Sequence, residues 1–181
     1  STATKNGQQI EVDCAGVRVS FSLGMNAPHW ALNTIGILAV IETLGLDVAE
    51  AATHLADFSD LPGRGAQHHG IFNQQPITLV DDSYNAGPTS MAAALAGLAG
   101  SPPQIMVLSD MLELGDGSGT AHDALVPLLT RLMPREVIAL GPEMGRVTAA
   151  LAAACPTAAC HVVDDSDQAI NLLARLIQEN D

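Results

Sequence analysis

The chain has 181 residues, 48% hydrophobic and 15% charged, enough apolar material for one or two packed domains and no case for disorder. Seven basic residues face 20 acidic ones, giving a formal net charge of −13, so there is no basic footprint for nucleic acid or an anionic membrane. No apolar run reaches the ~18 residues of a membrane span, and the polar residues 1–9 lack the apolar stretch of a signal peptide.

Residue counts narrow the chemistry further. The only lysine is Lys5, followed by Asn6 and Gly7, so no Walker A lysine is present. A phosphate bound here must meet arginine, backbone amides or a metal. Cys14, Cys155 and Cys160 are odd in number and irregular in spacing. That argues against a disulfide framework or a zinc site, and reduced thiols are expected. His68 and His69 are adjacent in a polar stretch and read as solvated rather than as metal ligands.

In chain order, residues 8–23 alternate polar and apolar on both sides of Ala15-Gly16 and predict a hairpin. Two strands alone are marginal in water, so the hairpin docks on the next elements of the chain or ends a larger sheet. Residues 29–45 predict a helix that is apolar nearly all round, which is the pattern of a buried one. Gly45 stops it. Asp47 with Glu50 opens a second helix through Phe58. Residues 59–65, Ser-Asp-Leu-Pro-Gly-Arg-Gly, read as a break and a domain boundary.

A regular alternation comes next. Strands are expected at 77–80, 105–108, 137–140 and 161–163. Helices are expected at 88–99, 120–132 with a kink at Pro127, 143–154, and 166–179 capped by Asp165 or Ser166. Four strand–helix units in succession predict an α/β fold, a parallel sheet covered by helices. The last helix needs a sheet face for Ile170, Leu173, Leu176 and Ile177, so a further strand is expected beyond it. With the lone hairpin, this suggests a piece of a longer protein.

In such sheets ligands bind beyond the carboxyl ends of the strands. Those ends are polar here: Asp81-Asp82-Ser83-Tyr84-Asn85, Ser109-Asp110, Gly141-Pro142-Glu143 and Asp164-Asp165. Solvated loops are polar too, so position alone is weak support. Asp81 and Asp82 are adjacent, so only one can face a given ligand. A carboxylate there can accept two ribose hydroxyls. Arg64, one of six arginines, lies between Gly63 and Gly65 and can reach a phosphate or sugar; the bland alternative is a surface ion pair. Asn33, four residues after His29, is a polar residue on an apolar helix. It is either a satisfied core amide or one that recognises a purine edge. A phosphoacceptor receiver domain is excluded, because Asp82 to Asp110 spans one strand–helix–strand unit and the required lysine is missing.

These residues carry a resemblance. Residues 80–91, Val-Asp-Asp-Ser-Tyr-Asn-Ala-Gly-Pro-Thr-Ser-Met, resemble the Asp-Asp-Ser-Tyr-Asn-Ala-Asn-Pro-x-Ser-Met signature of one branch of the Mur ligase family. Residues 109–115, Ser-Asp-Met-Leu-Glu-Leu-Gly, resemble its Gly-Asp-Met-Leu-Glu-Leu-Gly, and His122 sits where a histidine follows that loop. Residues 61–65 are similar to its Pro-x-Pro-Gly-Arg-Gly, and His29 with Asn33 to its His-x-x-x-Asn. Each motif is short, but four occur in order along nearly the whole chain. Three positions depart: Gly87 for the second asparagine, Ser109 for glycine, and Ala27 for the glycine two before the histidine.

The resemblance implies the tail of a central ATP-binding domain at residues 1–62. It implies a Rossmann-like C-terminal domain at 63–181, with helices on both faces of the sheet and its last strand missing. The activity implied is that of an ATP-dependent amide ligase of peptidoglycan precursor synthesis. Such an enzyme activates a carboxylate as an acyl phosphate and joins D-Ala-D-Ala to UDP-MurNAc-tripeptide. Its P-loop and Mg2+ ligands are expected upstream, so this piece alone is expected to be inactive. The whole protein is expected to be a cytoplasmic monomer. By the resemblance, Asn33 contacts adenine, and Arg64 and Asp82 the ribose or phosphates. Tyr84, Asn85 and Asp110 are candidates for the amino substrate. No catalytic residue or metal ligand is assigned within the chain. The alternatives are a folylpolyglutamate synthase relative, disfavoured by Ser83-Tyr84-Asn85, and a non-catalytic nucleotide-binding or interaction domain.

Overall fold

The structure, a computed structural model, describes residues 2–4, 7–14, 16–24, 28–58, 61–72, 74–100 and 105–178. Ala15, Ala27, residues 59–60, Lys5 and Glu179, and the side chains of Cys14 and His29, lie outside the described residues. The chain divides into two compact units: residues 1–68 with 80–82, and residues 69–79 with 83–181.

The first unit opens with strands β1 (Thr2–Thr4), β2 (Gly7–Cys14) and β3 (Val17–Leu23) in one antiparallel sheet. The expected hairpin is β2–β3, closed at Cys14↔Val17. Gly16 takes the turn at φ 87°, and its N–H donates to Asp13 Oδ1 at 2.8 Å. Only glycine adopts such a φ without strain. The alternating residues Ile10, Val19, Phe21 and Leu23 share one core with Ala31 and Leu38 of helix α1 (Pro28–Thr43) and Val48 and Ala52 of helix α2 (Val48–Thr53). Asp47 caps α2 as expected, accepting the N–H groups of Ala49 and Glu50 at 2.9 and 3.0 Å. The rest of the expected second helix is a 3-10 turn, His54–Asp57.

Helix α1 departs from its expectation of full burial. Leu32, Ile37, Val40 and Leu44 are exposed, because α1 packs by one face only on the sheet and α2.

The second departure is the strand expected at 77–80. It forms as β5 (Gln75–Asp81) but does not enter the parallel sheet. It pairs instead with β4 (Ala66–Phe72), a strand that the sequence pattern does not predict. The two-residue link makes β4 the nearest strand along the chain, and such local pairing has the smallest loop-closure cost.

Strands β6 (Ile105–Ser109), β7 (Glu136–Leu140) and β8 (Ala159–Val163) form the parallel sheet in that order. Their residues alternate between two cores. Met106, Leu108, Val137 and Ala139 pack with helices α3 (Pro88–Gly97), α5 (Val126–Leu132) and α6 (Pro142–Ala154). Ile105, Ile138, Leu140 and Val163 pack with α7 (Ser166–Gln178). Helices therefore cover both faces, the α/β architecture expected. The helix expected over 120–132 is two, α4 (Ser118–Asp123) and α5, with Pro127 in the first turn of the second. A ring with no N–H is tolerated at that position and not in a helix interior. Asp165 caps α7 by accepting the Gln168 N–H at 2.8 Å.

Candidate functional site

Asp81 and Asp82 divide their roles as adjacent residues must. The Asp81 carboxylate accepts the Gly63 N–H at 3.1 Å, and its carbonyl accepts the Gly65 N–H at 2.8 Å. Gly63 and Gly65 have φ of 70° and 82°, conformations that favour glycine. This clasp shapes the loop whose outward residue is Arg64. Both Arg64 and Asp82 are exposed, and both lie beside the clasp in the first unit. A planar fork of donors and a carboxylate acceptor thus stand on one fixed loop pair, suited to phosphate or sugar oxygens and to hydroxyls.

Asn33 is in the same unit, exposed on α1. It lies in a shallow hollow along the helix with Leu32, Gly36, Ile37, Val40 and Ile41. The hollow sets one side-chain amide, with its donor and acceptor, among apolar side chains. The side chain of His29 lies outside the described residues.

Tyr84, Asn85 and Asp110 fall in the second unit. Tyr84 is 68% exposed. The Asn85 side-chain oxygen accepts the Ala86 N–H at 2.9 Å, and Ser90 Oγ accepts the Gly87 N–H at 3.1 Å, ordering the entry to α3. Asp110 has a different setting. Its carboxylate accepts the Met144 and Glu143 N–H groups at 2.7 and 3.2 Å, and its own N–H donates to the Leu140 carbonyl at 3.1 Å. Both carboxylate oxygens therefore serve the first turn of α6. Gly141, at φ 100°, makes room for it: a Cβ there would overlap the Asp110 carboxylate.

Two further residues shape this end of the sheet. Arg146 on α6 pairs with Glu143 at 2.7 Å and with Asp123 on α4, and donates to the Gly119 carbonyl at 3.0 Å. Its hydrogen bonds to Glu143 and then Asp123 raise its already high pKa. His122, on α4, is fully buried and bonds to the backbone of the loop after β6. The sequence marks its position, but nothing local marks its burial. A glycine following a strand, as at Gly141, is the one signal that a close approach was required.

Among the described residues no three His, Cys, Asp or Glu side chains gather as a metal site. No described helix is long and apolar enough to cross a membrane.

The sequence pattern of the family described as Mur ligase, glutamate ligase domain, matches residues 64–181. The chain belongs to the Mur ligase family. The Rickettsia prowazekii UDP-N-acetylmuramoyl-tripeptide–D-alanyl-D-alanine ligase is 40% identical over 103 residues, covering 56% of this chain and 22% of that protein. The MurF crystal structure II from Acinetobacter baumannii superposes with a TM-score of 0.76 at 24% identity, over 94% of this chain and 36% of that one. MurF ligase from Thermotoga maritima, solved in complex with ADP, gives 0.70 at 23%, over 94% and 38%. At these identities the structures establish the shared Mur ligase fold. The chain spans about a quarter of the length of the curated relatives it matches.

Proposed function

We propose that this chain is part of an ATP-dependent ligase that joins D-Ala-D-Ala to UDP-MurNAc-tripeptide. The observation that carries the reading is the 40% identity to a relative named for that reaction. The ADP bound to the Thermotoga MurF supports a nucleotide as co-substrate. In the reaction proposed, a tripeptide carboxylate oxygen attacks the γ-phosphorus of ATP, giving an acyl phosphate and ADP. The amine of D-Ala-D-Ala then attacks the acyl carbon. Phosphate leaves with the electron pair of the broken carbon–oxygen bond, and the amine loses a proton.

In this reading residues 1–62 are the tail of the central domain and 63–181 the C-terminal domain. Asn33 binds the adenine edge. Arg64 donates to phosphate or ribose oxygens, and Asp82 accepts from ribose hydroxyls. Tyr84 and Asn85 lie toward the amino substrate. Asp110, engaged by α6, shapes that region rather than touching the substrate directly. The described residues do not form a magnesium site, and no step is assigned to a metal. The reading implies a cytoplasmic enzyme without nucleic-acid or membrane partners, acting as a monomer.

The test is a ligation assay on the full-length protein. Formation of ADP and phosphate should require both UDP-MurNAc-tripeptide and D-Ala-D-Ala. ATP turnover that needs neither, or that needs glutamate and a folate, would overturn the reading.

A further inference from the structure

The loop after β6 is held at more points than a connection needs. Met111 is buried, and Leu114 is half-buried against the same core. Between them the chain turns outward. Leu112 is 76% exposed, and Glu113 is exposed with φ 62°, a conformation that non-glycine residues rarely adopt. Asp110 ties the start of the loop to α6.

His122 supplies another hold. Its Nε2 accepts the Met111 N–H at 2.9 Å. Its Nδ1 lies 2.8 Å from the Ser118 carbonyl oxygen, which can only accept, so Nδ1 carries the proton. The two bonds together require a neutral imidazole of one tautomer. The ring is fully buried, and the closest partner of each nitrogen is a backbone group; the Ser118 hydroxyl lies further from Nδ1, at 3.4 Å. The helix that carries it is itself fixed to α6 through Arg146 and Asp123.

What the hold presents is an apolar side chain and a carboxylate at the carboxyl end of a parallel strand, where ligands approach such sheets. A carboxylate repels the phosphates of a nucleotide and attracts an ammonium group. The loop therefore suits the amine substrate rather than ATP. We propose that His122 is a positioning residue for the amine substrate: as a neutral Nδ1–H imidazole it fixes residues 110–115, so that Leu112 and Glu113 are presented to that substrate. The amine half rests on the proposed function; the hold on the loop does not.

The experiment uses the full-length ligase. In the wild type at neutral pH, ring-nitrogen NMR should show His122 protonated on Nδ1 only, and the Met111 amide should be protected from hydrogen exchange. A proton on Nε2, or an unprotected Met111 amide, overturns the proposal. His122→Leu should raise the KM for D-Ala-D-Ala by roughly tenfold or more, because small displacements of positioning groups have effects of that size. The KM for ATP should stay within about twofold. His122→Gln, whose side-chain oxygen reaches the Nε2 position, should restore most of the loss. Equal effects on both substrates, or no rescue by glutamine in a folded protein, mean a merely structural histidine. If His122→Leu does not fold, Glu113→Gln decides: an unchanged amine KM overturns the proposal. A wild type that does not ligate these substrates overturns the proposed function and the amine half alone, and the two spectroscopic readouts still judge the hold.

Discussion

Strand β7 and the β4–β5 pair both carry branched apolar side chains, which meet opposite fates. Val137, Ile138 and Ala139 are wholly buried, because β7 lies between two strands and under helices on both faces. Ile71 and Leu79, on the two-stranded sheet, are 79% and 54% exposed. Yet that open pair carries the Asp81 clasp and, beside it, Arg64 and Asp82. The side chains of β7 hold a core together, whereas Arg64 and Asp82, the proposed nucleotide contacts, are exposed. Substitutions should therefore separate cleanly into those that unfold and those that disable.

The largest contrast should come from paired truncations. Leu129→Ala, at a fully buried position of the main core, should destabilise the chain by about 2–5 kcal/mol. Leu79→Ala should change stability by less than about 0.5 kcal/mol. Urea unfolding of both variants checks this, and equal losses would break the comparison. Next in size is Gly141→Ala. It forces a β-carbon into the Asp110 carboxylate at a backbone angle suited to glycine, so a loss of about 2–3 kcal/mol is expected in the same measurement.

Asp82→Ala tests the other side of the contrast. It should leave unfolding unchanged within about 0.5 kcal/mol. In the full-length ligase it should raise the KM for ATP about tenfold, since charged hydrogen bonds contribute roughly 1.5–3 kcal/mol. Arg64→Lys should also weaken ATP, because a point charge does not replace the fork. Unfolding with intact kinetics would make either residue structural. The smallest effect concerns Cys160. Burial raises its thiol pKa, with smaller contributions from Cys155 and Glu136. A raised value means that the unfolded thiol ionises first. Stability should be full below the ordinary thiol range and fall as pH rises through it. Thermal melts across that window should show a shallower alkaline decline for Cys160→Ala.

The helices and the three parallel strands were legible because periodicity and caps are local. Asp47 and Asp165 announce helix starts from two or three residues away. The β4–β5 pairing was not legible, since His68-His69-Gly70 hides the alternation and the turn uses Gln74 at φ 67° rather than glycine. The open face of α1 was not legible either, because an all-round apolar pattern reports what a helix can bury, not what is there to bury it. At the candidate site, the exposed positions of Arg64 and Asp82 were legible from the polar residues around them. The engagement of Asp110 was not, because its partners lie 33 and 34 residues further along the chain.

That span has a kinetic meaning. The β2–β3 turn closes between Cys14 and Val17, neighbours that meet early in folding at little cost in loop entropy. Asp110 can meet Met144 only after β6 and β7 have paired and α6 has formed. Its bonds are thus expected to be absent from the folding transition state. Contacts that form late govern the unfolding rate and leave the folding rate nearly untouched. Asp110 would then act as a latch on the finished domain, one whose removal lets the domain open sooner without making it slower to assemble.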